Sequence, residues 1–143
     1  MIAQGKPGRA FVGRLAHGAD LLAELTRIAA EKGVRAGRVE VIGAVQRARV
    51  GFYDQQAKKY GYHEFKEPME ILALLGNVSA KAEAPEQPFV HAHVTLSDGA
   101  GRAWGGHLAE GTIVFAAEYC LVEMAGIELL RRPDATTGLA LWS

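Results

Sequence analysis

A chain of 143 residues is the size of one domain and can bury a single core without disulfides. Its 16 lysines and arginines are balanced by 16 aspartates and glutamates, so no net field draws it toward nucleic acid or an anionic membrane. No apolar run reaches the roughly 18 residues that span a bilayer, no signal-like apolar segment opens the chain, and the single cysteine, Cys120, suits a reducing cytoplasm.

Ala10 to Leu15 reads as a short first strand. Leu21, Leu22, Leu25, Ile28 and Ala29 then recur at helical spacing, with Gly18 to Asp20 near the start and Gly33 as a stop. This predicts one amphipathic helix that lays its leucine stripe on a sheet. From Arg38 onward the pattern is β. Val39 to Val45, Ala48 to Tyr53, Met69 to Asn77, Phe89 to Ser97, Trp104 to Leu108 and Thr112 to Val122 are the expected strands. Asp98-Gly99 and Pro85 to Pro88 are expected turns, and Gln55 to Phe65 a hairpin or exposed loop. The tail, Glu128 to Trp142, is expected at the sheet edge, interrupted at Pro133. One early helix followed by consecutive strands implies an α+β fold: a single domain over residues 1–143, mainly an antiparallel β-sheet packed against one helix.

The segment from Phe89 to Gly111 carries the chemistry. Val90, Ala92, Val94 and Leu96 share one strand face and read as core, while His91, His93, Thr95 and Ser97 share the other. A loop with an odd number of residues centred on Ala100 sets His93 opposite His107. A two-residue loop at Gly99-Ala100 sends His107 to the wrong face, which a bulge at Gly105-Gly106 would correct. Directly opposed Cβ atoms sit about 5 Å apart and i, i+2 neighbours about 7 Å apart, so three imidazoles can meet. Three neutral nitrogen donors are the usual protein half of an open zinc site. The competing reading is three solvated histidines with no common focus, because His-x-His also occurs without metal.

Other residues offer weaker leads. Glu118 shares a strand face with Val114, Ala116, Cys120 and Val122, where a carboxylate is paired or shifted in pKa, or else faces solvent or a partner subunit. Glu110 follows the third histidine and could accept an imidazole N–H, although an exposed loop glutamate is the simpler account. Arg102 sits in the predicted turn, where it could clamp an anion near a metal, yet turn arginines are usually solvated. Cys120 reads as a small buried hydrophobe. His17 and His63 have no partner spacing and receive no role, and Asn77-Val78-Ser79 reads as a chance glycosylation motif.

The chain resembles the PPC (plants and prokaryotes conserved) domain family, as a stand-alone prokaryotic member. The likeness rests on Gly43-Ala44-Val45 leading to Gly51-Phe52-Tyr53-Asp54, on Met69 to Leu74 with Gly76-Asn77, on His91 to Asp98, on Gly105-Gly106-His107-Leu108 and on Thr137-Gly138-Leu139. The resemblance implies an α+β fold assembled as a homotrimer, with His91, His93 and His107 holding a metal commonly taken to be zinc. Plant members carry Gly-Arg-Phe-Glu-Ile-Leu where this chain has Glu67-Pro68-Met69-Glu70-Ile71-Leu72, so their partner-recruiting role does not transfer. There is no AT-hook, and Arg131-Arg132-Pro133 is not one.

Three functional expectations follow. The first is a trimeric metal-binding module for a small anionic ligand or a protein partner, without turnover. The second is a metal-dependent enzyme with a site like that of acetolactate decarboxylase, whose acid-base groups would come from Glu110, Glu118 or Arg102. The third is a DNA-associated regulator by analogy with plant AT-hook proteins. A neutral domain without a basic stripe argues against DNA binding by this domain alone.

Overall fold

The computed structural model describes residues 1–143. The strands are β1 (Lys6–Arg14), β2 (Gly37–Asp54), β3 (Lys59–Phe65), β4 (Met69–Lys81), β5 (Ala84–Ser97), β6 (Ala103–Leu108), β7 (Ile113–Ala125), β8 (Leu130–Pro133) and β9 (Ala140–Trp142). The one helix, α1, spans Leu21–Glu31. It starts where Asp20 accepts a hydrogen bond from the Ala23 amide, and it stops before Gly33 at φ 65°. Asp20 also accepts from the Gly111 amide at 2.6 Å, which ties the helix start to the loop before β7. Leu21, Leu25, Ile28 and Ala29 are buried as the periodicity predicts. No helix is long and apolar enough to cross a membrane.

All the strands join one sheet, antiparallel except for the β4–β8 pair. The expected strands Val39 to Val45 and Ala48 to Tyr53 are one continuous strand, β2. Its first half lies between β7 and β4. Its second half pairs with β3 and, at Val50 and Gly51, with β6. Because β4 also pairs with β5 and β5 with β6, strands β2, β4, β5 and β6 close into a ring. Closure leaves an inner face of Val39, Val41, Val45, Leu74, Val94 and Leu96, all buried, and an outer face that other groups must cover or solvate.

Several boundaries differ from expectation. The first strand begins earlier, at Lys6, while of the two expectations for Gln55 to Phe65 the hairpin is the one adopted, β3 pairing with β2. Pro85 to Pro88 lies within β5 rather than in a turn, since the chain reverses at Ala82 and Glu83. Proline is tolerated there because β6 covers β5 only from His93 onward, leaving the earlier part an edge on that side. The tail returns to the sheet by pairing β8 with β4, and Pro133 ends β8 instead of breaking it.

Candidate metal centre

Hairpin geometry decides where the histidines point. Between β5 and β6, Ser97 pairs with Ala103 and His93 with His107, with no register shift between them. The Asp98 amide bonds the Arg102 carbonyl, leaving a three-residue loop centred on Ala100 with Gly101 at φ 77°. The odd loop is therefore the one adopted. The glycines Gly105 and Gly106 form no bulge. A Cβ on Gly106 would sit 2.7 Å from the Gly51 carbonyl oxygen, and one on Gly105 the same distance from that of Val94, so both serve close strand packing.

Asp98 locks this turn. Its carboxylate accepts from the amides of Ala100 and Arg102, the Arg102 guanidinium and the Trp104 indole. The Arg102 backbone bond first, then the indole, hold its carboxyl down at about 2. A depressed carboxyl stabilises the fold above its ordinary value and loses that contribution as pH falls through the folded one. Asp98→Asn should therefore flatten the acid limb of the stability curve between the ordinary 3.8 and about 2. Acid titration followed by circular dichroism checks this, and an unchanged acid limb would contradict it.

The three imidazoles converge on the outer face. Ring centroids are 5.3 Å apart for His91 and His93, 5.0 Å for His91 and His107, and 5.7 Å for His93 and His107. One nitrogen from each lies within 4.8 Å of the others. Nitrogens sharing a tetrahedral ion are about 3.4 Å apart, so side-chain adjustment on fixed strands brings them to that spacing. His93 is exposed, while His91 and His107 are half-buried. Burial, reinforced by the Arg131 charge and the other imidazoles, pushes His91 down to about 4. Burial likewise lowers His107, followed by His93 and Arg131. Both are then neutral near pH 7, the form that binds metal. His107 Nδ1 is buried with no hydrogen-bond partner, an orphan that coordination would satisfy. The donor set and this orphan fit a resident ion.

Arg131 belongs to the same place, although nothing in the sequence pattern singled it out. The β8 strand carries its side chain, 6% exposed, to within 3.4 Å of His91 Nδ1. It donates to Ser79 Oγ, Asn77 Oδ1 and the Ala140 carbonyl. Both polar residues of the apparent glycosylation motif are thus engaged inside the protein. The Tyr60 ring lies tilted against His107, centroids 4.9 Å apart. Residues Tyr60, Phe89, His91, His107, Arg131 and Leu141 help enclose a cavity of about 180 Å³.

The weaker candidates fall elsewhere. Arg102 is five residues, about 16 Å of strand, from His107 and pairs with Asp98. Glu110 is an exposed loop residue on the helix side, beside Leu22 and Phe89, and bonds none of the histidines. Glu118 is exposed on β7, opposite Ile42 and Arg14. A register shift near Phe115 separates its parity from that of buried Val114, so it does not share that core face. Cys120 is half-buried rather than buried. His17 bonds the Phe115 carbonyl and Gln46, and His63 is exposed on β3.

The chain is similar over its whole length to a metal-containing protein from Archaeoglobus fulgidus, with 40% identity, a TM-score of 0.91 and 99% of that chain covered. A plant- and prokaryote-conserved (PPC) protein from Pyrococcus horikoshii matches with 34% identity and a TM-score of 0.92, covering 100% of this chain and 97% of that one. Of the curated relatives, a bifunctional protein GlmU from Synechococcus sp. (strain JA-2-3B'a(2-13)) is 35% identical over 87% of this chain, which spans only 18% of that protein. Acetolactate decarboxylase from Bacillus subtilis strain 168 shares the fold alone, at 11% identity and a TM-score of 0.58, with 91% of this chain and 58% of that one covered. The family model described as the Plants and Prokaryotes Conserved (PCC) domain matches residues 2–125, and the chain belongs to that family.

Proposed function

We propose that this chain holds one divalent metal ion, most favourably zinc, on His91, His93 and His107, and binds a small anionic ligand there without turnover. The observation that carries this is the convergence of three imidazole nitrogens, one of the rings having an orphaned buried nitrogen. When bound, the ion supplies positive charge and an open coordination position. The chain's own residues orient the donors through the β5–β6 register, keep His91 and His107 neutral, and place the Arg131 charge alongside. That the Archaeoglobus relative is a metal-containing protein supports the reading. No aspartate or glutamate of this chain joins the trio, which favours binding over proton transfer. Zero formal charge argues against DNA binding by this domain alone. The single cysteine suits a cytoplasmic setting. Elemental analysis of protein purified without an affinity tag should find about one ion per chain. A folded preparation without stoichiometric metal contradicts the proposal.

The same reading includes a homotrimer. Val12, Ile42, Leu72, Leu75 and Phe115 are each more than half exposed on β1, β2, β4 and β7. Paired residues run from Val12 through Cys120, Glu40 and Leu75 to His93 and His107, so this apolar face borders the histidines. An exposed apolar face of this kind marks a surface for a second copy. Sedimentation equilibrium should give three times the chain mass for wild type and a monomer for Ile42→Asp. A monomeric wild type contradicts it.

A further inference from the structure

We infer that the cavity beside the histidines is a carboxylate subsite anchored on Arg131, and that its ligand is a small organic acid with a short apolar body. The inference deepens the metal-holding reading, since His91 and His107 form part of the same wall.

The first support is charge. Arg131 is 6% exposed, yet no carboxylate lies within ion-pair distance of it, and every ion pair in the chain uses other cations. A buried cation without a counter-charge is costly, and an anion entering the cavity would supply one. A guanidinium has five N–H groups. Ser79, Asn77 and Ala140 take one each and His91 Nδ1 lies against the second on Nη2 at 3.4 Å, leaving one free on Nη1. A free donor on a charged guanidinium suits a carboxylate oxygen.

The second support is the rest of the wall. Phe89, Leu139, Ala140 and Leu141 line the same space, and Tyr60 adds a ring tilted against His107. A site that is cationic on one side and apolar on the other recognises an amphipathic acid better than an inorganic anion. A volume of about 180 Å³ is too small for a nucleotide or a drug-sized ligand. The hairpin of β8 and β9 that provides Arg131 and Leu141 lies beyond residues 2–125 of the family match, so this wall is built by the tail. A purely structural Arg131 would tie the tail to β4 equally well, but it would not discriminate a carboxylate from its neutral isostere.

The test titrates the zinc-loaded full-length chain calorimetrically with isobutyrate, its neutral isostere isobutyramide, and inorganic phosphate. Isobutyrate should bind, isobutyramide should not, and phosphate should bind about tenfold or more weakly by comparison. Arg131→Met, compared with wild type at equal zinc loading per chain, should weaken isobutyrate about tenfold or more, the effect of losing a charged hydrogen bond. Because that substitution leaves three acceptors unbonded, Trp142→Asp serves as the second variant. Trp142 is exposed and pairs directly with Arg131 across β8 and β9, its ring 5.5 Å from the guanidinium, so a carboxylate there should pair with Arg131 and abolish isobutyrate binding in a folded protein. Several results would overturn the subsite: no isobutyrate binding by wild type, equal binding of isobutyramide, phosphate as tight as isobutyrate, or undiminished isobutyrate affinity in either folded variant. Arg131-dependent isobutyrate binding by a protein that takes up no zinc would overturn the metal reading alone and leave the subsite standing.

Discussion

Replacing His93 by alanine should weaken metal binding by more than about a hundredfold while leaving the fold intact. A ligand contributes at least as much as the outer groups that orient ligands, whose loss already costs about 10–100-fold. His93 is exposed on the outer face of β5, so the change opens no core cavity. It also leaves His91 and His107 in place on their strands. Elemental analysis after dialysis against a weak chelator reads the metal, and thermal melting of the metal-free proteins reads the fold. His63→Ala is the matched control, because His63 is equally solvent-facing but lies on β3, opposite Val50. Full metal retention in His93→Ala, or equal loss in His63→Ala, would contradict the site.

The largest effect on stability is expected at Gly43. This residue sits mid-strand in β2 at φ 136°, a conformation L side chains rarely adopt. An added Cβ would lie 2.3 Å from the Ala116 carbonyl oxygen and 2.6 Å from the Ala117 Cα. Both are backbone atoms of β7, the neighbouring strand, so rotation of a side chain cannot relieve the clash. Gly43→Ala should therefore cost at least about 3 kcal/mol, from strain plus a displaced strand pair. For a protein of this size that lowers the melting temperature by about 10 °C. Gly99→Ala gives the contrast: its Cβ meets nothing within 4 Å, and the change should fall within about 0.5 kcal/mol of neutral. Urea unfolding of both variants checks the pair, and equal midpoints would contradict the argument.

The elements that local pattern determines were the legible ones. The leucine stripe of α1 and the alternation in β5 follow from periodicity, and the buried residues match both. The histidine parity was legible up to a choice of loop, which Gly101 and the Asp98 carboxylate settle in favour of the odd length. Non-local pairing hid the remainder. β2 reads as two strands because Gln46 and Arg47 break the apolar run, yet the strand is continuous and its ladder with β7 crosses a register shift at Gln46 to end at Arg47. A register shift near Phe115 changes the parity that made Glu118 look like a core-facing carboxylate. Arg131 reaches the site through a short parallel pairing of β8 with β4, 40 residues from His91 in sequence, and no spacing rule announces it. Its only trace in the sequence was Asn77 and Ser79, which look like a glycosylation motif until their shared partner is known.

X-ray absorption at the zinc edge of the loaded protein reads the shared focus of the three imidazoles most directly. The account predicts a first shell at about 2.0–2.1 Å with scattering from three histidine rings and one lighter ligand. A shell with fewer than three rings, or one unchanged by His107→Ala, would contradict it.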